Sequence, residues 1–249
     1  MSSSLYLLVN LGAIAIPFAF SWHPKIRFVD QWRSFWPACL ITLAFFIAWD
    51  VLFTAQGVWG FNESYLVGSS LFGLPLEEWM FFVAIPYACV FTYFVFRTVR
   101  HRQAGKASQV VLLFIFGLSA ALCLFHLDNA YTATATGFNA IYCLILLRAK
   151  PAWLSDFLFS FLVLLIPFVL TNGILTGLDF WQANLLNTAP ENILDQVVWY
   201  ANDQNMGVRF LTIPLEDFFY AFLLIGMNIS LFERFRAKQS AAFTPNSRL

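Results

Sequence analysis

The sequence predicts an all-α integral membrane protein of seven transmembrane helices, arranged as two parallel three-helix repeats joined by a linker helix. Three observations carry that prediction. Apolar side chains make up 60% of the 249 residues and charged ones only 11%, with 30 Phe, whereas soluble domains carry about 25% charge. Seven stretches approach the roughly 20 apolar residues that a bilayer crossing requires. An acidic phrase also occurs twice, as Leu74-Pro75-Leu76-Glu77-Glu78-Trp79 and Ile213-Pro214-Leu215-Glu216-Asp217-Phe218.

The seven stretches cover about 4 to 21, 35 to 54, 74 to 96, 109 to 126, 130 to 147, 154 to 175 and 211 to 233. Met1-Ser2-Ser3-Ser4 lacks the basic n-region of a signal peptide, so the first span is expected to be retained. Pro86 and Pro167 are expected to kink the third and sixth spans. The fifth is the least apolar, and its Thr132, Thr134, Thr136 and Gly137 suit a helix packed inside a bundle. Cys39, Cys89, Cys123 and Cys143 all fall within spans without short-spaced pairing, and read as packing residues. His23, His101 and His126 are scattered, so no metal site is expected.

Basic residues fix an orientation. Lys25, Arg27 and Arg33 follow the first span, Arg97, Arg100, Arg102 and Lys106 the third, Arg148 and Lys150 the fifth, and Arg234, Arg236, Lys238 and Arg248 the seventh. Thirteen of the 14 thus share one side, and only Arg209 lies on the other. By the positive-inside rule the N-terminus is outside and the C-terminus cytoplasmic, in a bacterial-type inner membrane. Zero net charge gives no reason to expect a nucleic-acid partner.

The acidic phrases extend into an internal duplication. Val58-Trp59, Asn62 and Gly68 align with Val198-Trp199, Asn202 and Gly207, and Asp50 near the end of the second span is answered by Asn172 near the end of the sixth. The expected organisation is residues 1–100 and 129–236 as repeats, 101–128 as the linker helix and 237–249 as a disordered cytoplasmic tail. An odd linker makes the repeats parallel. The long loop from Thr176 to Phe210, with Asp179, Glu191, Asp195 and Asp203, is too polar to cross and reads as an outer lid.

Taken singly, proline followed by acids is an ordinary helix start, since Pro suits the first turn and carboxylates complement the macrodipole. The phrase, however, recurs, aromatic residues follow it both times, and Asp50 stands at similar depth. Acids within a span cost roughly 2.5 kcal/mol or more and are functional candidates. Two carboxyls in a low dielectric cannot both ionise easily, so one holds a proton and is a Brønsted acid. The aromatic candidates around it are Trp59, Tyr65, Trp79, Phe81, Trp199, Phe218 and Tyr220, whose ring faces stabilise a cation by roughly 2 kcal/mol each when water is excluded. Because 19% of the chain is aromatic, any single ring is more often structural. Asn62 and Asn202 read as turn caps ahead of a role beside the acids.

The paired phrases, Phe61-Asn62-Glu63-Ser64-Tyr65 and Met227-Asn228 together resemble the membrane-integral lycopene cyclases of heterodimeric type, here with both halves fused, over about residues 1 to 236. One departure is Asp217 where the first half has Glu78. The resemblance implies a lycopene beta-cyclase acting on lycopene or another acyclic carotenoid in the bilayer, alongside other carotenoid-pathway membrane enzymes. It implies a non-redox isomerisation: protonation at C2, attack of C5=C6 on the C1 cation, and loss of a C6 proton, giving γ- or β-carotene. Glu77 and Glu216 are expected as the principal acid/base pair, Glu78 and Asp217 as tuning residues, and Asp50 and Asn172 as their supporting partners. Gly-x-Gly-x-x-Gly does not occur, and no cofactor is expected.

Four alternatives compete with this reading. A carotenoid hydratase would add water to the same cation. A proton-coupled transporter would share membrane acids and parallel repeats, but no polar relay crosses the inner half. A retinal protein needs a lysine inside the seventh span, where none occurs. A prenyltransferase needs spaced aspartates to hold magnesium, and here the acids are adjacent.

Overall fold

The computed structural model describes residues 4–100, 105–188, 193 and 195–243. Among the described residues there are seven α-helices: α1 (Leu5–Phe20), α2 (Trp32–Ala55), α3 (Leu76–Arg100), α4 (Lys106–Phe125), α5 (Ala130–Ala149), α6 (Leu154–Thr176) and α7 (Glu216–Phe243). Six are long and apolar enough to cross a membrane, and the chain is an integral membrane protein. α1 has 16 residues, about 24 Å at 1.5 Å per residue, shorter than the usual hydrocarbon core. Its end is set by Ser21, whose hydroxyl donates to the Pro17 carbonyl and meets the Tyr87 hydroxyl at 2.6 Å.

Boundaries differ from expectation where local chemistry intervenes. α3 begins at Leu76 and α7 at Glu216, after the prolines rather than before them. Leu74–Pro75 and Ile213–Pro214 instead form short strands, β3 and β7, so the prolines precede their helices. α7 continues to Phe243, through residues 237–243 where a disordered tail is expected. His101, Arg102, Glu191 and Arg248 lie outside the described residues.

Side-chain contacts fix how the ends meet. At one end Arg97 of α3 lies 3.4 Å from both Asp156 of α6 and Glu233 of α7, and Arg236 donates to Glu233 and to Gln31 just before α2. This ionic knot joins the C-terminal ends of α3 and α7 to the N-terminal ends of α2 and α6. At the other end the starts of α1, α3, α5 and α7 meet the ends of α2 and α6 around the acids. Close approach of α5 and α7 needs Gly226, where a Cβ would fall 2.5 Å from the Tyr142 ring.

The loops at the acid end form short strands. β1 (Trp59–Phe61) pairs antiparallel with β5 (Val198–Tyr200), and β2 (Ser70–Leu71) pairs with β3. β4 (Leu186–Asn187), β6 (Arg209–Phe210) and β7 make a three-stranded sheet. The same bonds recur 139 positions apart: Ser70↔Pro75 and Arg209↔Pro214 in the ladders, and Val67 N–H to Glu77 and Met206 N–H to Glu216. The β1–β5 ladder centres on Gly60↔Trp199, also 139 apart. The expected match of Trp59 with Trp199 is therefore one residue out of register. Trp199 instead lies over Gly60, where a Cβ would sit 2.3 Å from its ring.

Candidate active site

Beneath the β1–β5 ribbon lies a cavity of about 160 Å³. Strand alternation turns Trp59, Phe61, Val198 and Tyr200 into it and leaves Trp199 40% exposed on the outer side. The helices supply its acids: Asp50 from the end of α2, Glu78 from the first turn of α3 and Asp217 from the first turn of α7. All three are buried.

Each acid has a defined set of partners. The Tyr6 hydroxyl of α1 donates to Glu78 Oε2 at 2.5 Å, and the Tyr131 hydroxyl of α5 donates to Asp217 Oδ1 at the same distance. Asp217 Oδ2 accepts from Asn172 Nδ2 at 2.7 Å and from the Tyr200 hydroxyl at 3.1 Å. Asp50 Oδ1 accepts from Trp59 Nε1 at 2.5 Å and more weakly from Thr54 at 3.4 Å. The Asp50 carboxyl is the neighbour of the Glu78 carboxyl, close enough for the two to interact directly. The two halves therefore differ at one decisive position. Glu78 has a second carboxyl beside it, whereas Asp217 has the amide of Asn172.

Glu77 and Glu216 occupy a different place. Glu77 Oε1 accepts from the Val67 N–H at 2.6 Å; Glu216 Oε1 accepts from the Met206 N–H at 2.7 Å and from Thr132 at 2.5 Å. Both are buried, each with its second oxygen unpartnered, and neither lines the cavity. They tie the preceding loops to the helix starts. Of each acidic pair it is Glu78 and Asp217, expected to tune, that line the cavity, while Glu77 and Glu216, expected as the principal pair, do not, because successive helical residues face different directions.

Of the aromatic candidates, Trp59, Phe81 and Tyr220 line the cavity, and Tyr220 stands within electrostatic reach of Asp50, Glu78 and Asp217. Trp79 donates to the Leu71 carbonyl at 3.2 Å, and Phe218 packs between Phe168 and Phe210. Tyr65 is buried with its hydroxyl on Asp195 at 3.2 Å. Trp79, Trp199, Phe218 and Tyr65 do not line the cavity. Asn62 caps its turn by accepting from the Ser64 N–H, and Asn202 accepts from Arg209 at 3.2 Å. Among the described residues no group of three His, Cys, Asp or Glu could hold a metal.

Four further residues contribute that local sequence pattern does not single out. Tyr6 and Tyr131 each stand in the first turn of their helix, a repeated signal hidden by the abundance of aromatic residues. Tyr200 follows Trp199 and pairs with Trp59 in the β1–β5 ladder. Burial, then the charge of Asp217, pushes the Tyr200 phenol well above its ordinary range, so it remains a donor. Arg209 is buried at 1% exposure with its guanidinium 5.6 Å from the Tyr200 ring centroid, and burial lowers its pKa against the opposing pull of the nearby acids. Its Nη1 donates to the Thr212 carbonyl at 2.9 Å.

Compared with known families, the chain matches the lycopene cyclase profile over residues 3–96 and 128–235. No curated protein and no solved structure matches it.

Proposed function

From the premise that this chain belongs to the lycopene cyclase family, and so acts on a carotenoid in the membrane, we propose that it closes the ψ-end of lycopene to a β-ring by proton-initiated isomerisation. In this reading the Asp50–Glu78 pair delivers the proton and Asp217 takes one back.

The observation that supports this division is the contrast between Asp50 and Asn172. Two neighbouring carboxyls in a buried site share a proton; the Glu78 carboxyl, at the cavity wall, is the donor to C2. Asp217 is met by three donors, Tyr131, Tyr200 and Asn172. Donors aimed at a carboxylate favour its charged form, and an ionised Asp217 is a base for the C6 proton. Between those steps the C1–C6 bond forms at the expense of the C5=C6 π-bond, and proton loss restores a C5=C6 double bond. One proton enters and one leaves, so the product is an isomer.

The walls suit the intermediate. Tyr220, Trp59 and Phe81 present aromatic rings to a cation. The β1–β5 ribbon roofs the cavity against water that would trap the cation as an alcohol. The recurrence at 139 positions supports two parallel three-helix repeats with α4 as linker, and the ionic knot at the basic end supports an outside N-terminus and cytoplasmic C-terminus.

The test is expression in a bacterium that accumulates lycopene, with pigments separated by chromatography for the wild type, Glu78→Gln, Asp217→Asn, Glu77→Gln and Glu216→Gln. Cyclic carotene from the wild type, lost in Glu78→Gln and Asp217→Asn, is expected. Hydroxylated product would indicate a hydratase. A Glu78→Gln variant as active as the wild type would refute the assignment of the acid.

A further inference from the structure

We infer that the protein cyclises one end of its substrate per binding event and releases a monocyclic product before the other end can react. This rests on the assignment of Asp50, Glu78 and Asp217 as the reacting groups. Although acids recur in both halves, those at the cavity converge on a single space, with Glu78 and Asp50 on one wall and Asp217 and Asn172 on another. The whole cavity, the stretch along α6 included, measures about 160 Å³, close to a cavity of roughly 150 Å³ that accommodates one benzene, and so has room for one end group and not two.

The cavity is also one-sided. Away from the acids it continues along α6, past Thr171, Phe168, Pro167 and Leu164, against Ala88 of α3 and Leu224 of α7. On the α2 side the corresponding space is filled. Trp49 lies 5.1 Å from both the Tyr220 and Phe138 rings, and Phe46 lies 4.9 Å from Tyr220. Phe46, Trp49 and Phe53 are buried, and of α2 only Asp50 reaches the cavity. Counting from Asp50 and Asn172, Trp49 stands where α6 has Thr171, and Phe53 where it has Leu175. The pseudo-equivalent second channel is plugged by indole and phenyl rings.

A substrate with an end group at the acids therefore sends its polyene along α6. Conjugation keeps that polyene extended, so the distal end group cannot fold back to the same acids. To present it, the molecule must leave and re-enter reversed. Each closure is complete in itself, because the proton added at C2 is balanced by the one lost from C6, and no co-reactant links the two events.

The test uses the purified full chain in lipid vesicles with isotopically labelled lycopene, chased at early conversion by a tenfold excess of unlabelled lycopene. Labelled monocyclic carotene should appear in the lipid, and its conversion to bicyclic product should slow about tenfold by mass action; a chain that stops at the monocyclic stage agrees equally. Labelled bicyclic product that continues to form unslowed, with no free labelled monocycle, overturns the inference. Absence of any cyclic product would instead refute the cyclase reading. Thr171→Trp, which fills the channel, should raise KM or abolish turnover, while Thr171→Ser should not. Wild-type kinetics in a folded Thr171→Trp variant would overturn the placement of the polyene.

Discussion

Successive residues on an α-helix point about 100° apart, and that rotation separates Glu77 from Glu78 and Glu216 from Asp217. Losing Glu78 should lower turnover by about 10²–10⁴-fold, the range of a general acid, in a purified-enzyme assay with protein amounts matched. Glu77→Gln should instead weaken the hold on the Val67 N–H. It should cost about 1–2 kcal/mol in stability, read as a lower melting temperature, with the folded fraction active within a few-fold. Tyr131→Phe removes one of the donors to Asp217 and should slow turnover about tenfold, a hydrogen bond to a charged group being worth roughly 1.5–3 kcal/mol. Asn172→Asp would place a second carboxyl beside Asp217, making the second half resemble the first. If Asp217 is the base, turnover should fall at least as far as in Tyr131→Phe, and an unimpaired Asn172→Asp enzyme would count against that role.

At the scale of elements, the roof depends on a close approach. Gly60 and Trp199 pair across β1 and β5, and there is no room for a Cβ at Gly60. Gly60→Ala should lift the ribbon, admit water and reduce cyclisation while leaving the helices folded. Adding Trp199→Ala should restore much of the loss, because it removes the ring that clashes. Circular dichroism and pigment analysis of the single and double variants check this; full activity in Gly60→Ala would show that the ribbon does not seal the site. The short strands also show why the prolines matter. Pro75 and Pro214 end β3 and β7 without needing an N–H partner, and so release the chain into α3 and α7 with the acids in the first turn.

For the whole molecule, the acids and the ionic knot mark opposite ends of the bundle. The orientation proposed from the basic residues predicts that a cysteine at Leu186, 63% exposed beside the roof, is reached by an impermeant thiol reagent from outside. A cysteine at Ala237, near the other end of α7, should be labelled only after the membrane is opened. The reverse pattern would invert the topology. Much of this architecture was legible in sequence, because crossing a bilayer imposes length and apolarity on each segment and charge on its flanks. α1 was legible as a helix but not as a short one, since the hydrogen bond between Ser21 and Tyr87 at its end joins residues far apart in sequence.

The sequence by itself determined the membrane class, the helix order, the recurrence of the acidic phrase and the family. These are properties of composition and local pattern, in which neighbouring residues carry the signal. Only the tertiary structure decided which acid of each pair faces the cavity, that Tyr6, Tyr131 and Tyr200 serve them, that Asp50 stands against Glu78 while Asn172 stands against Asp217, and that the α2 side is filled while the α6 side is open. Those outcomes depend on helix rotation and strand register. A shift of one residue redirects a side chain by about 100° on a helix or to the opposite face of a strand, and a periodicity read along the chain does not fix that phase.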